Sequence, residues 1–120
     1  MMTAHDYFAR TQTITIITTR EDGLEVSTPI WGVLAEGVPY IRNGYGEGSA
    51  WYRRLRRTWR AAFADHDSRY HARIEPVSDE DTKNLVDEAY RGKYRGQGGA
   101  LRQVVSPHVR DYTLKVILDD

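Results

Sequence analysis

Residues 11–19, TQTITIITT, are β-branched at almost every position, which predicts a strand. REDGLE follows, and its Asp22-Gly23 pair is a strong hairpin-turn signal. A second strand is expected over 24–34, with Pro29 inside it. Proline has no N–H to give to a ladder, so this segment should lie at a sheet edge or a bulge. AEGVP turns the chain into a third strand over 38–42. NGYGEGS then reads as a loop whose glycines permit close backbone approach or positive φ.

The period changes at Ser49, which is placed to cap a short helix, AWYRRLRR. On that helix Trp51 and Leu55 share the inward face, Arg53 and Arg57 lie opposite, and Arg54 flanks Trp51. In TWRAAFA, Trp59, Ala61 and Phe63 alternate with Arg60 and Ala62, the period of a strand. ADHDS turns the chain, and RYHARIEPV alternates Tyr70, Ala72 and Ile74 against His71, Arg73 and Glu75. SDEDTKNLVDEAYRGKY is the clearest helix. Ser78 and Asp81 form a capping-box-like pair, and Leu85, Val86, Ala89 and Tyr90 make the apolar stripe. Its acidic start and basic end suit the helix dipole. RGQGGALRQ reads as a glycine-rich loop, either a flexible connection or a lid whose basic ends favour an anionic ligand. VRDYTLKVIL places Tyr112, Leu114, Val116 and Leu118 on one face of a last strand. The expected total is about six strands and two helices. Short strands at hairpin spacing favour an antiparallel barrel, mainly β with helices added.

Composition narrows the function classes. A chain of 120 residues fits one domain, 1–120. Lys plus Arg and Asp plus Glu each number 17, and zero net charge argues against a general nucleic-acid binder. With no cysteine, thiolate metal sites, disulfides and cysteine nucleophiles are excluded. MMTAHDYFARTQ lacks an apolar signal-peptide core, and no run approaches the roughly 20 residues of a membrane span, so the expected location is the cytoplasm. His5, His66, His71 and His108 do not have the spacing of a metal site. NGYGEG lacks the lysine and the strand-to-helix form of a phosphate loop.

Residues 27–57 nevertheless gather two tryptophans, two arginine clusters and a glycine-rich turn. Guanidinium forks and the N–H groups of a helix start hold a phosphate well, and tryptophan stacks on planar rings. The same residues also fit a plain barrel, with Trp31 and Trp51 in its core and Arg53, Arg56 and Arg57 on a solvated face. A third reading makes Trp51, Tyr52 and the arginines a stacking platform for RNA. Tyr45, Tyr52, Asp65 and His71 are each able to move a proton, and nothing in the sequence selects among them.

TTREDGLEVSTPIW resembles the TTGR-x-x-G … TP-[LI]-W start of the split-barrel flavin-binding (pyridoxamine-phosphate-oxidase-like) proteins. YIRNGYGEGSAWYRRL resembles their Y-V-x-S-x-G … WY-x-N-L segment, a pairing typical of the deazaflavin-dependent nitroreductase branch. AYRGKYRG is similar to the AYRAKYG signature of the DUF2255 family. The likeness spans roughly residues 11–96. It implies a six-stranded split β-barrel, a homodimer with cofactors at its interface, and FMN or a deazaflavin (coenzyme F-420) as the cofactor. By that resemblance Thr28, Pro29, Ile30 and Trp31 line the ring. Arg42 and Asn43 sit near the ring edge or phosphate, and Ser49, Trp51, Arg53 and Arg54 hold the phosphate or its linker. The chain departs from the pattern at four places. No glycine separates Thr19 from Arg20, and Asn43, Ala50 and Arg54 replace the family's serine, proline and asparagine. The implied function is a flavin- or deazaflavin-dependent reductase acting on a small organic substrate. The alternative is the same barrel without a flavin, binding a small molecule or catalysing a cyclisation or isomerisation.

Overall fold

A computed structural model describes residues 3–44 and 48–119. Seven strands and five helices are present among them, in the order α1 (Ala4–Arg10), β1 (Ile14–Thr19), β2 (Glu25–Ile30), β3 (Gly32–Ala35), β4 (Val38–Arg42), α2 (Ala50–Thr58), β5 (Arg60–Asp65), β6 (Ser68–Pro76), α3 (Glu80–Lys93), α4 (Gly98–Val104), α5 (Pro107–Arg110) and β7 (Thr113–Leu118). All strands join one antiparallel sheet in the order β2-β1-β5-β6-β7-β4-β3. The two ends of that order, β2 and β3, are consecutive in the chain and separated by Trp31 alone. A sheet whose opposite edges are joined by a single residue has to curl back on itself. The result is a half-barrel that is split at the Trp31 corner.

This corner corrects the expected count of six strands. The segment 24–34 is not one strand, because the chain leaves β1 after Ile30 and pairs with β4 from Gly32 onward. Pro29 does lie in an edge strand, opposite Thr15, where its missing N–H takes nothing from the ladder. The Asp22-Gly23 turn is present, with Gly23 at φ +90°.

Two cores follow from the curl. The barrel interior is filled by Ile14, Ile16, Ile41, Leu55, Phe63, Ile74 and Leu114, closed by Trp51 and Tyr52 of α2 and by Tyr7 and Phe8 of α1. On the outer face of β3 and β4, Val33, Ala35 and Tyr40 meet Val86 and Tyr90 of α3, its C-cap Tyr94, and Val104 and Val109 beyond it. Strand β4 is therefore buried on both faces.

Three helices were not expected. Helix α1 is announced by a Thr3–Asp6 capping box, Asp6 N–H donating to Thr3 Oγ1 at 3.1 Å and Thr3 N–H to Asp6 Oδ2 at 3.1 Å. The segment read as a glycine-rich loop is helix α4, with α5 after it. Glycine weakens a helix, but tertiary bonds override that propensity here. Arg42 Nη1 donates to the Val104 carbonyl at 3.0 Å, and Gln103 Nε2 to the Gly44 carbonyl at 2.8 Å. Two caps also differ from expectation. Asp79, not Ser78, caps α3, accepting from Thr82 N–H at 2.9 Å. Ser49 occupies the N-cap of α2, but its hydroxyl makes no capping bond. Leu85 is 41% exposed, and the buried stripe of α3 runs through Lys83, Val86, Asp87 and Tyr90.

Candidate functional site

A cleft of about 620 Å³ opens where the barrel is split. One side is the edge strand β2 and its corner, Thr28, Pro29, Ile30 and Trp31. The other side is the start of α2, with Ser49, Trp51 and Arg54. Helix α4 supplies a third wall through Ala100, Gln103 and Val104, which sequence reasoning missed because the segment lacks helical periodicity.

Each wall has a physical origin. Trp31 is half-buried, and Tyr94 stacks on one face of its indole with centroids 3.9 Å apart and planes 13° from parallel. Trp51 is 6% exposed and belongs mainly to the barrel core. Arg54 is half-buried, and its Nε donates to Thr18 Oγ1 at 2.8 Å. Among the described residues no acceptor meets its terminal nitrogens. At the same point α2 begins, so a guanidinium and a helix N-terminus converge on one end of the cleft.

Three of the residues tied to the ligand by resemblance are placed differently. Arg42 lines the cleft wall, yet its side chain is wholly buried and bound internally. Its Nη1 donates to Asp87 Oδ1 at 2.6 Å, its Nε to Thr113 Oγ1 at 2.9 Å and its Nη2 to the Lys83 carbonyl at 2.9 Å. Burial disfavours the Arg42 charge, and the Asp87 carboxylate offsets this only in part. Asn43 is fully buried, and Arg53 lies on the exposed face of α2. The RNA platform also loses its rings. Tyr52 packs edge-on against Trp51, Trp59 and Tyr112 with Arg56 over its face, so it has no surface to offer a base.

None of Tyr52, Asp65 and His71 lines the cleft. Tyr45 lies outside the described residues. Among the described residues no group of three His, Cys, Asp or Glu is placed to hold a metal, and no helix is long and apolar enough to cross a membrane.

Residues 6–116 match the family described as an uncharacterized protein conserved in bacteria, DUF2255. The chain belongs to this family. No curated protein resembles it closely enough in sequence to count as a relative. Among solved structures, this DUF2255 protein is similar to the conserved hypothetical protein Rv2991 of Mycobacterium tuberculosis, at TM-score 0.72 and 18% identity over 100% of this chain and 82% of the other. An F420-H2 dependent reductase (FDR-A) aligns at TM-score 0.63 and 13% identity over 89% and 94% of the two chains. HutZ, a heme storage protein of Vibrio cholerae, aligns at TM-score 0.63 and 10% identity over 96% and 87%. Identities this low establish a shared split-barrel fold and leave the ligand open.

The stretch AYRGKYRG turns out to brace the cleft. Lys93 Nζ donates to the Phe8 and Gly32 carbonyls, each at 2.6 Å. Tyr94 Oη donates to the Gln12 carbonyl at 2.6 Å and accepts from Gly32 N–H at 3.2 Å, while Tyr90 Oη donates to the Trp31 carbonyl at 3.2 Å. The corner backbone thus hands much of its hydrogen bonding to helix α3. Space is tight at Gly32, where a Cβ would stand 2.5 Å from Ile14 Cδ1 and 3.1 Å from Phe8 Cδ1 and would make those side chains shift.

Burial lowers the Lys93 ammonium from 10.5 to about 8. Between those values the unfolded DUF2255 chain holds a proton that the folded one has released, so folding stability rises with pH across that window. Burial raises Tyr90 and Tyr94, whose unfolded forms lose protons near 10, so the effect is clean only on the lower side. Urea midpoints measured from pH 7.5 to 9 are expected to climb in the native sequence and to stay level in Lys93→Met.

Proposed function

We propose that the cleft holds a planar cofactor of the FMN or deazaflavin class by its ring and one phosphate, and that the protein serves a reduction of a small organic molecule. The observation that carries this reading is the convergence of Trp31, Arg54 and the start of α2 on one cleft of ligand-binding size. The donor set fits such a group. Thr28, Pro29, Ile30 and Trp31 would flank the ring, and the terminal nitrogens of Arg54, with Ser49 and the first turn of α2, would take the phosphate. When bound, the cofactor supplies the hydride chemistry, and the chain's own residues bind, orient and keep water from the ring. A heme would ask for an axial ligand, and among the described residues lining the cleft none is His, Cys, Met or Tyr. The reading includes a cytoplasmic homodimer. Strand β2 carries cleft residues on an edge that no other strand covers among the described residues, and a second copy would shield it. Sedimentation of a monomer alone would remove that part.

The internal engagement of Arg42 and the burial of Asn43 favour one rival, the flavin-free barrel with a small molecule in the same cleft. Titrating FMN and then the deazaflavin against tryptophan fluorescence separates the two. Trp31 lies on the cleft wall, so saturable quenching is expected, and Arg54→Ala should weaken the tighter ligand by about 1.5–3 kcal/mol, the worth of a charged hydrogen bond. Quenching by neither compound would leave the flavin-free barrel standing.

A further inference from the structure

Strand β1 sets Ile14, Ile16 and Thr18 on one face, since side chains alternate along a strand. Ile14 and Ile16 are wholly buried in the barrel core, and Thr18 is 1% exposed at the next inward position. A hydroxyl in that place is costly unless it is hydrogen-bonded, and valine would fill the same volume at no such cost. Its partner is Arg54, whose Nε donates to Thr18 Oγ1 at 2.8 Å. Thr18 does not itself reach the cleft, whereas Arg54 lines it. One bond to Nε fixes the plane of a guanidinium and leaves both terminal nitrogens for something else. Pinning α2 to β1 does not require this bond, because Arg57 Nη1 already donates to the Thr19 carbonyl at 2.9 Å one turn later.

We propose that Thr18 is a positioning residue that aims the Arg54 guanidinium into the cleft and so sets the affinity for the anionic end of the ligand. The inference rests on the reading of the cleft given above. It assigns a task to the first threonine of TTREDG, which that reading leaves unused.

The test compares Thr18→Val, Thr18→Ser, Arg54→Ala and the double variant Thr18→Val/Arg54→Ala, each titrated with FMN and with lumiflavin, the same ring without phosphate. Thr18→Val is expected to weaken FMN by about 3- to 10-fold, the range of one hydrogen bond, and to leave lumiflavin unchanged. Thr18→Ser restores the hydroxyl and should restore FMN. Because Thr18 acts through Arg54, the double variant should bind FMN no worse than Arg54→Ala alone. Equal losses for both ligands, or losses that add in the double variant, would mean a purely structural threonine and overturn the proposal. If Arg54→Ala weakens FMN and Thr18→Val does not, the cleft reading survives and this inference falls. A readout without ligand covers the case in which FMN does not bind at all. The Arg54 Nε–H resonance should exchange slowly with water in the native sequence and Thr18→Ser, and fast in Thr18→Val. Slow exchange in Thr18→Val would refute the positioning bond by itself.

Discussion

Replacing Asp87 by alanine is expected to cost about 3–5 kcal/mol, the range for stripping one partner from a buried ion pair. The Arg42 side chain is wholly buried and Asp87 is nearly so, with 2.6 Å between Nη1 and Oδ1. Without the carboxylate, a guanidinium would remain in the interior with only carbonyl and hydroxyl acceptors. Asp87 also accepts from Arg110 Nη1 at 2.5 Å, and Arg110 reaches Glu80 at 2.8 Å on the surface. That outer link is solvated and contributes little. A small domain has about 5–15 kcal/mol to lose, so Asp87→Ala should melt some 10–20 °C lower or fail to fold at 37 °C. The companion variant Arg42→Met/Asp87→Leu removes both charges and should recover the part of that loss that comes from the stranded charge, though not the Arg42 bonds to Thr113, Lys83 and Val104. Calorimetry on the pair decides between them. Equal destabilisation in the single and double variants would mean that packing, not charge, holds this corner.

Tyr94→Ala should be comparably severe, about 3–5 kcal/mol for removing a fully buried aromatic ring. Tyr94 lies against Tyr90 as well as Trp31. Its hydroxyl serves the Gln12 carbonyl and the Gly32 N–H. Tyr94→Phe keeps the ring and leaves those backbone groups without their partner, an expected cost of about 1–3 kcal/mol. The two variants should also differ at the cleft. Loss of the ring removes the backing of Trp31, so Tyr94→Ala should shift tryptophan emission and blunt any response to FMN. Tyr94→Phe should leave both near native. Urea denaturation with emission spectra on both proteins tests this, and an unshifted Tyr94→Ala spectrum would refute the bracing role.

Much of the sheet was legible because its signals are local. The third strand coincides with β4, and the β-branched run, the Asp22-Gly23 turn and the alternation around Phe63 and Ile74 each point to real strands. The break at Trp31 was not legible. Residues 24–34 have strand-like composition throughout, and the corner at Trp31 and Gly32 is braced by Tyr90, Lys93 and Tyr94, far along the chain. Helix α4 was hidden for a related reason, since Arg42 and Gly44, distant in the chain, bond to its last turn. At the site, the motif placed Thr28 to Trp31, Ser49, Trp51 and Arg54 around one cleft. It had no way to show that Arg42 is committed to Asp87, because a buried arginine and a ligand-binding arginine look alike in one dimension.

The order of strands also bears on how the protein is made. Strand β7 lies between β6 and β4, and Ile41, paired with Gly32 on one side, finds its second partner in Leu114. During synthesis the β1, β2, β5 and β6 ladder can assemble early, while the β3–β4 hairpin waits with one flank bare. Such long-range pairing is slow and leaves sheet edges exposed in the meantime. Ladder and hairpin become one continuous sheet only when residues 113–118 pair with both β6 and β4.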